Sequence, residues 1–104
     1  MSTQRVTVLG GGAWGTALAA ALRRAGEDVT LWARDAETAH AVTRGDNPRY
    51  LPGIRLPSEI HGTTDAARAL DGTDCVLVVV PAQSLRDALE TIAFRIPPHV
   101  PVVL

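Results

Sequence analysis

The sequence has 104 residues and a mass of 11.0 kDa, the size of one compact domain or part of one. With 46% hydrophobic residues, 20% charged residues and a net charge of −1, it is neither a disordered tail, nor a collagen-like repeat, nor a nucleic-acid module working through bulk positive charge. The lone cysteine, Cys75, excludes an internal disulfide framework.

All ten basic residues are arginine, and there is no lysine. No run approaches the roughly 18–20 apolar residues needed to span a bilayer. The apolar start, Val6 to Leu9, is shorter than the about 7–15 residues of a signal-peptide core. The expectation is a soluble, cytoplasmic protein with neither a membrane nor a nucleic-acid partner.

Taken in chain order, Arg5 to Leu9 is rich in β-branched residues and ends at Gly10-Gly11-Gly12, which reads as a buried strand closed by a turn. Ala13 to Ala25 is mostly Ala and Leu, with Leu18 and Leu22 four apart on one face. Arg23 and Arg24 suit the C-terminus of that helix, and Gly26 stops it. Val29 to Trp32 reads as a second strand, and Asp35 caps a helix over Ala36 to Thr43. Residues 44–57 carry Gly45, Asn47, Pro48, Pro52, Gly53 and Pro57 and form an irregular connection.

Ile60 to Thr63 then reads as a short strand and Asp65 to Leu70 as a short helix. Cys75 to Val80 is six apolar residues in a row, the mark of a strand buried on both faces of a parallel sheet. Pro81 ends it. Gln83 to Phe94 follows as a helix stopped by Pro97-Pro98, and Val100 to Leu104 opens another strand. Strands alternating with helices imply an α/β, Rossmann-type doubly wound parallel sheet. A domain rarely ends on its own core, yet the last residues here are Val100-Pro101-Val102-Val103-Leu104.

Gly10-Gly11-Gly12-Ala13-Trp14-Gly15 fits G-x-G-x-x-G. The pattern alone is weak, but here it lies between a strand and a helix at the start of a βαβ unit, the setting that dinucleotide binding requires. Gly10 permits the tight turn, Gly12 lets a pyrophosphate approach the backbone, and Gly15 lets the helix pack close to the strand. The helix N-terminus, opened by Ala13, offers free N–H groups to the phosphates. A large aromatic inside a phosphate turn has little local packing reason, so Trp14 is read as a cofactor contact.

An NAD site carries Asp or Glu about 20 residues past the fingerprint, on the ribose 2′-OH. The expected slot here holds Ala33, followed by Arg34 and Asp35. With no acid to repel it, a 2′-phosphate can pair bidentately with Arg34. NADP is therefore favoured over NAD, unless a shift in register brings Asp35 to the ribose.

Gly10-Gly11-Gly12-Ala13-Trp14-Gly15-Thr16-Ala17-Leu18-Ala19 and Leu31-Trp32-Ala33-Arg34 are followed by Asn47-Pro48-Arg49-Tyr50-Leu51-Pro52-Gly53, Leu56-Pro57 and Val79-Val80-Pro81-Ala82-Gln83. This ordered set resembles bacterial NAD(P)-dependent glycerol-3-phosphate dehydrogenase over essentially the whole chain. Gly11 stands where that family often has Ala, a change expected to cost rigidity but no function. The resemblance implies reversible hydride transfer between the nicotinamide and carbon 2 of dihydroxyacetone phosphate, giving sn-glycerol 3-phosphate for phospholipid synthesis. It also implies that Trp14 lies beside the cofactor, that Arg34 contacts its adenosine end, and that the loop with Tyr50 borders the site. Pro81 ends a central strand at its carboxyl edge, where ligands of open α/β sheets bind.

The family's catalytic lysines lie beyond the last strand of this chain, one shortly after it and one in a later helical domain. Residues 1–104 are accordingly expected to be the NAD(P)-binding part of such an enzyme, ending before the helical substrate domain and inactive alone. A small phosphate substrate is expected for the complete protein, and a homodimer is compatible with this reading. The competing readings are a free-standing nucleotide-binding or regulatory module, or another NAD(P)-dependent hydroxy-acid dehydrogenase. His40, His61 and His99 lack metal-ligand spacing, Cys75 reads as a buried small residue, and Trp32 as core or sheet-edge packing.

Overall fold

A computed structural model describes residues 3–92 and 95–103. Strands β1 (Arg5–Leu9), β2 (Asp28–Trp32), β3 (Ile60–Thr63), β4 (Cys75–Val78) and β5 (Val102–Val103) form one sheet in the order β3-β2-β1-β4-β5. Every neighbouring pair is parallel. Helices α1 (Ala13–Arg24), α2 (Ala36–Arg44), α3 (Ala66–Leu70) and α4 (Leu85–Ile92) connect the strands. This is the doubly wound α/β architecture, and strand order reverses direction beside β1.

Alternation along the strands divides the interior into two cores. Val8, Val29, Leu31 and Ile60 pack with Ala19 and Ala20 of α1 and Ala39 and Val42 of α2. On the other side, Leu9, Trp32, Val76 and Val78 pack with Ala69 and Leu70 of α3 and Ile92 of α4. Thr7 sits in the central strand without penalty, because its hydroxyl donates to the Ala69 carbonyl at 2.7 Å and lies 2.9 Å from the Thr73 hydroxyl.

Several boundaries differ from the sequence expectation, each for a physical reason. The buried face of α1 consists of Gly15, Thr16, Ala19 and Ala20, while Leu18 is exposed and Leu22 packs only at the core margin. Small residues face the sheet because the helix lies too close for leucine. Strand β4 ends at Val78, two residues before the apolar run does. Val79 still donates its N–H to the Leu9 carbonyl at 2.9 Å, but Val79 and Val80 lie past the paired strand, packing at the margins of the two cores and walling a cleft. Cys75 is half-buried rather than fully buried.

The last helix is preceded by a 3₁₀ turn at Ala82–Ser84, and Ala93 and Phe94 lie outside the described residues. Strand β5 is confined to Val102–Val103, with Leu104 outside the described residues. Among the described residues, no helix is long and apolar enough to cross a membrane.

Candidate cofactor-binding site

The carboxyl ends of β1, β2 and β4 converge on the glycine turn. Gly10 takes φ +137°, a conformation L side chains rarely adopt. Its N–H donates to the Trp32 carbonyl at 2.9 Å, and a β-carbon on it would strike the Val79 carbonyl oxygen. Gly15 is just as constrained, since a β-carbon there would strike the Gly10 carbonyl oxygen. Gly12 is the opposite case. Its φ is −76°, and nothing lies within 4 Å of where its β-carbon would be. Gly10 and Gly15 are thus required by close backbone contacts, whereas nothing in the protein packs against Gly12 among the described residues.

Gly11 has a packing reason of its own. A β-carbon there would lie 2.8 Å from the Thr38 Cγ2 methyl and 3.0 Å from the Ala33 Cβ. Thr38 cannot readily turn aside, because its hydroxyl donates to Asp35 at 2.8 Å. The glycine thus fits a locked neighbour rather than merely loosening the turn.

Helix α1 begins without a side-chain cap and without an acid in its first turn. Helices α2 and α3 begin differently, each closed by an aspartate: Asp35 accepts from the Thr38 N–H and Asp65 from the Arg68 N–H. The first N–H groups of α1 therefore have no side-chain cap among the described residues.

Beside the turn lies a cleft of about 210 Å³. Gly10, Gly11 and Gly12 form one side, and Trp32, Ala33, Arg34 and Asp35 follow the end of β2. Val79, Val80 and Pro81 continue from β4, with Ser84, Ala88 and Tyr50 completing the wall. Of the residues singled out from sequence, Gly10, Gly12, Arg34, Tyr50 and Pro81 line this cleft. Gly15 lies behind the turn as packing. Ala13 and Trp14 occupy the exposed first turn of α1 outside the lining, Trp14 being 77% exposed. Trp32 packs in the core as expected, donates its ring N–H to the Thr64 carbonyl at 2.9 Å, and also forms part of the cleft wall.

At the end of β2, Ala33 is buried and Arg34 has no ion-pair partner among the described residues. Asp35 is engaged. Hydrogen bonds from the Thr38 hydroxyl and N–H, with the Arg49 guanidinium nearby, hold its carboxyl below the ordinary range. Arg49 stands 3.9 Å from the same carboxylate oxygen and 5.3 Å above the Tyr50 ring.

Sequence reasoning overlooked the part played by Asn47, which is fully buried 36 residues beyond Gly11. Its side-chain amide donates to the Gly11 carbonyl at 3.0 Å and to the Thr16 hydroxyl at 2.8 Å. Its backbone carbonyl accepts from Leu51 at 2.7 Å and from Tyr50 at 3.2 Å. An Asn in a Pro- and Gly-rich stretch reads as ordinary turn chemistry, so no local signal marks this long-range contact. Among the described residues, no cluster of His, Cys, Asp and Glu could hold a metal ion.

Residues 5–104 match the family described as NAD-dependent glycerol-3-phosphate dehydrogenase N-terminus. The glycerol-3-phosphate dehydrogenase [NAD(P)+] of Mesorhizobium japonicum is 57% identical over 103 residues, covering 99% of this chain and 30% of that protein. Its counterpart in Rhodospirillum rubrum is 51% identical over 100 residues, covering 95% and 29%. The crystal structure of glycerol-3-phosphate dehydrogenase from Coxiella burnetii superposes with a TM-score of 0.87 at 30% identity, covering 96% of this chain and 31% of that one. The chain thus spans about 30% of the length of the relatives it matches. On its ordered motifs, its parallel sheet and this match over residues 5–104, the chain belongs to the NAD-dependent glycerol-3-phosphate dehydrogenase N-terminal family.

Proposed function

We propose that residues 1–104 are the NAD(P)-binding part of an oxidoreductase that interconverts dihydroxyacetone phosphate and sn-glycerol 3-phosphate in the cytoplasm, supplying glycerophospholipid synthesis. The observation that carries this reading is the uncapped N-terminus of α1 beside an open Gly12, at the carboxyl edge where strand order reverses. There the backbone N–H groups receive the cofactor's pyrophosphate. Tyr50 and Pro81 border the bound cofactor, and the exposed Trp14 lies alongside it.

The cofactor is NADP in preference to NAD. Ala33 offers no carboxylate to the ribose, and Arg34 has no ion-pair partner of its own to give up among the described residues. Asp35 is already engaged through Oδ2 with the cap of α2 and stands near Arg49, which offsets its charge.

Bound NAD(P)H supplies the hydride. Reducing a ketone also requires a proton for the developing alkoxide. In the cleft, Asp35 is held ionised by the Thr38 hydroxyl and N–H, and the sequence contains no lysine. The role assigned to this chain is to bind and orient the cofactor.

Calorimetric titration with NADPH and NADH tests the reading. Binding of both, tighter for NADPH, with no turnover of dihydroxyacetone phosphate by these residues alone, is the expected result. A folded sample with no affinity for either nucleotide would overturn it.

A further inference from the structure

We infer that Asn47 is a positioning residue for the cofactor, fixing the Gly11–Gly12 peptide so that the Gly12 N–H is presented to the pyrophosphate; this rests on the reading of the chain as an NAD(P)-binding unit. A trans peptide points its C=O and N–H in opposite directions. The Asn47 amide holds the Gly11 carbonyl at 3.0 Å, so the Gly12 N–H of that peptide points away from Asn47. It has no acceptor among the described residues. The Thr16 hydroxyl anchors the same Asn47 amide at 2.8 Å from the first turns of α1. Glycine turn and helix start are thereby tied to one side chain.

Stability alone does not account for an amide at this point. The Asn47 Oδ1 is buried without a hydrogen-bond partner among the described residues, a costly arrangement for an interior acceptor. What that amide secures is orientation: a glycine-rich turn has no side chains with which to fix its own peptide planes. The backbone carbonyl of Asn47 also holds the turn bearing Tyr50. The cleft wall and the phosphate turn thus share one strut.

The test uses ADP-ribose, which carries the pyrophosphate but no group that titrates near neutral pH. Asn47→Ala is expected to stay folded and to bind ADP-ribose about tenfold more weakly, the loss of roughly one buried hydrogen bond's worth of orientation. Asn47→Asp places an acceptor against the Gly11 carbonyl. Its affinity should fall at least as far at pH 8 and recover as the pH is lowered and the introduced carboxyl becomes a donor, a profile the native protein does not show. Independently of any variant, the Gly12 amide resonance should shift on saturation with ADP-ribose. Folded Asn47 variants that bind as tightly as the native protein, or a Gly12 resonance that stays still at saturation, would overturn the inference while leaving cofactor binding intact. A native protein that binds neither ADP-ribose nor NADPH would remove the underlying reading as well.

Discussion

The carbonyl oxygen of Gly10 occupies the space that a β-carbon on Gly15 would need. Neither partner is the end of a flexible side chain, so the conflict cannot be relieved by a rotamer change. Gly15→Ala is expected to destabilise the protein by about 3 kcal/mol, the upper part of the range for overpacking. In a domain of this size that lowers the melting temperature by more than about 10 °C. Thermal unfolding followed by circular dichroism measures it, and a loss below about 1 kcal/mol would mean that the helix can lift off the strand.

Gly12 should respond in the opposite way. Its backbone is in an ordinary region and its β-carbon would enter empty space, so Gly12→Ala should cost no more than about 1 kcal/mol, the difference between glycine and alanine at an N-cap. The added methyl would stand where the pyrophosphate must approach. NADPH affinity should therefore collapse in a protein whose unfolding curve is nearly unchanged. Paired calorimetry and thermal unfolding on this single variant separate binding from folding.

Arg34 tests the choice of cofactor. Arg34→Asp removes a charge-assisted hydrogen bond to a 2′-phosphate and substitutes a repulsive charge. NADPH affinity should drop about tenfold to a hundredfold, with NADH affinity changing less than about threefold. The difference should narrow as salt is added, because the contact is exposed and screened. Equal effects on the two nucleotides would assign Arg34 no part in discrimination.

Asp35 gives a pH-dependent signature. Its carboxyl is held ionised to lower pH in the folded protein than in the unfolded chain, chiefly by the Thr38 hydroxyl and N–H. The unfolded chain consequently takes up the proton first as the pH falls below about 4. Stability from this group is complete above that pH and is lost on further acidification through the folded value. Asp35→Asn keeps a competent cap but cannot titrate, so its stability curve should be flatter than the native one below about pH 4. Urea unfolding at a series of pH values reads the difference. Parallel curves would show that the cap acts without its charge.

Much of this fold is legible from periodicity and punctuation alone. Asp35 and Gly45 bracket α2, with Gly45 at φ +104°. The β-branched runs at β1 and β2 fall on strands paired Val6 to Val29 and Val8 to Leu31. What periodicity misjudged depends on distance in space. Leu18 and Leu22 look like the buried stripe of α1, but the approach enforced by Gly15 reserves that stripe for Ala19 and Ala20. Val79 and Val80 look like two more strand residues because they continue the apolar run and still pack at the core margins, although they also line the cleft. Gly10, Gly12, Arg34 and Pro81 could be marked as cleft candidates because their chemistry is local, and Tyr50 through the family resemblance; all five line one cleft. Asn47 could not, because its partners at Gly11 and Thr16 lie more than 30 residues earlier in the chain.

The helices do not all begin alike. Asp35 and Asp65 set a carboxylate at the N-terminal ends of α2 and α3, while α1 begins with no side-chain cap and no acid in its first turn. An anion that approaches these three helix starts is repelled by a fixed negative charge at two of them and meets bare backbone N–H groups at the third. The capping aspartates thus act as a sorting device as well as a structural one: they shut two of three otherwise equivalent helix ends to phosphate.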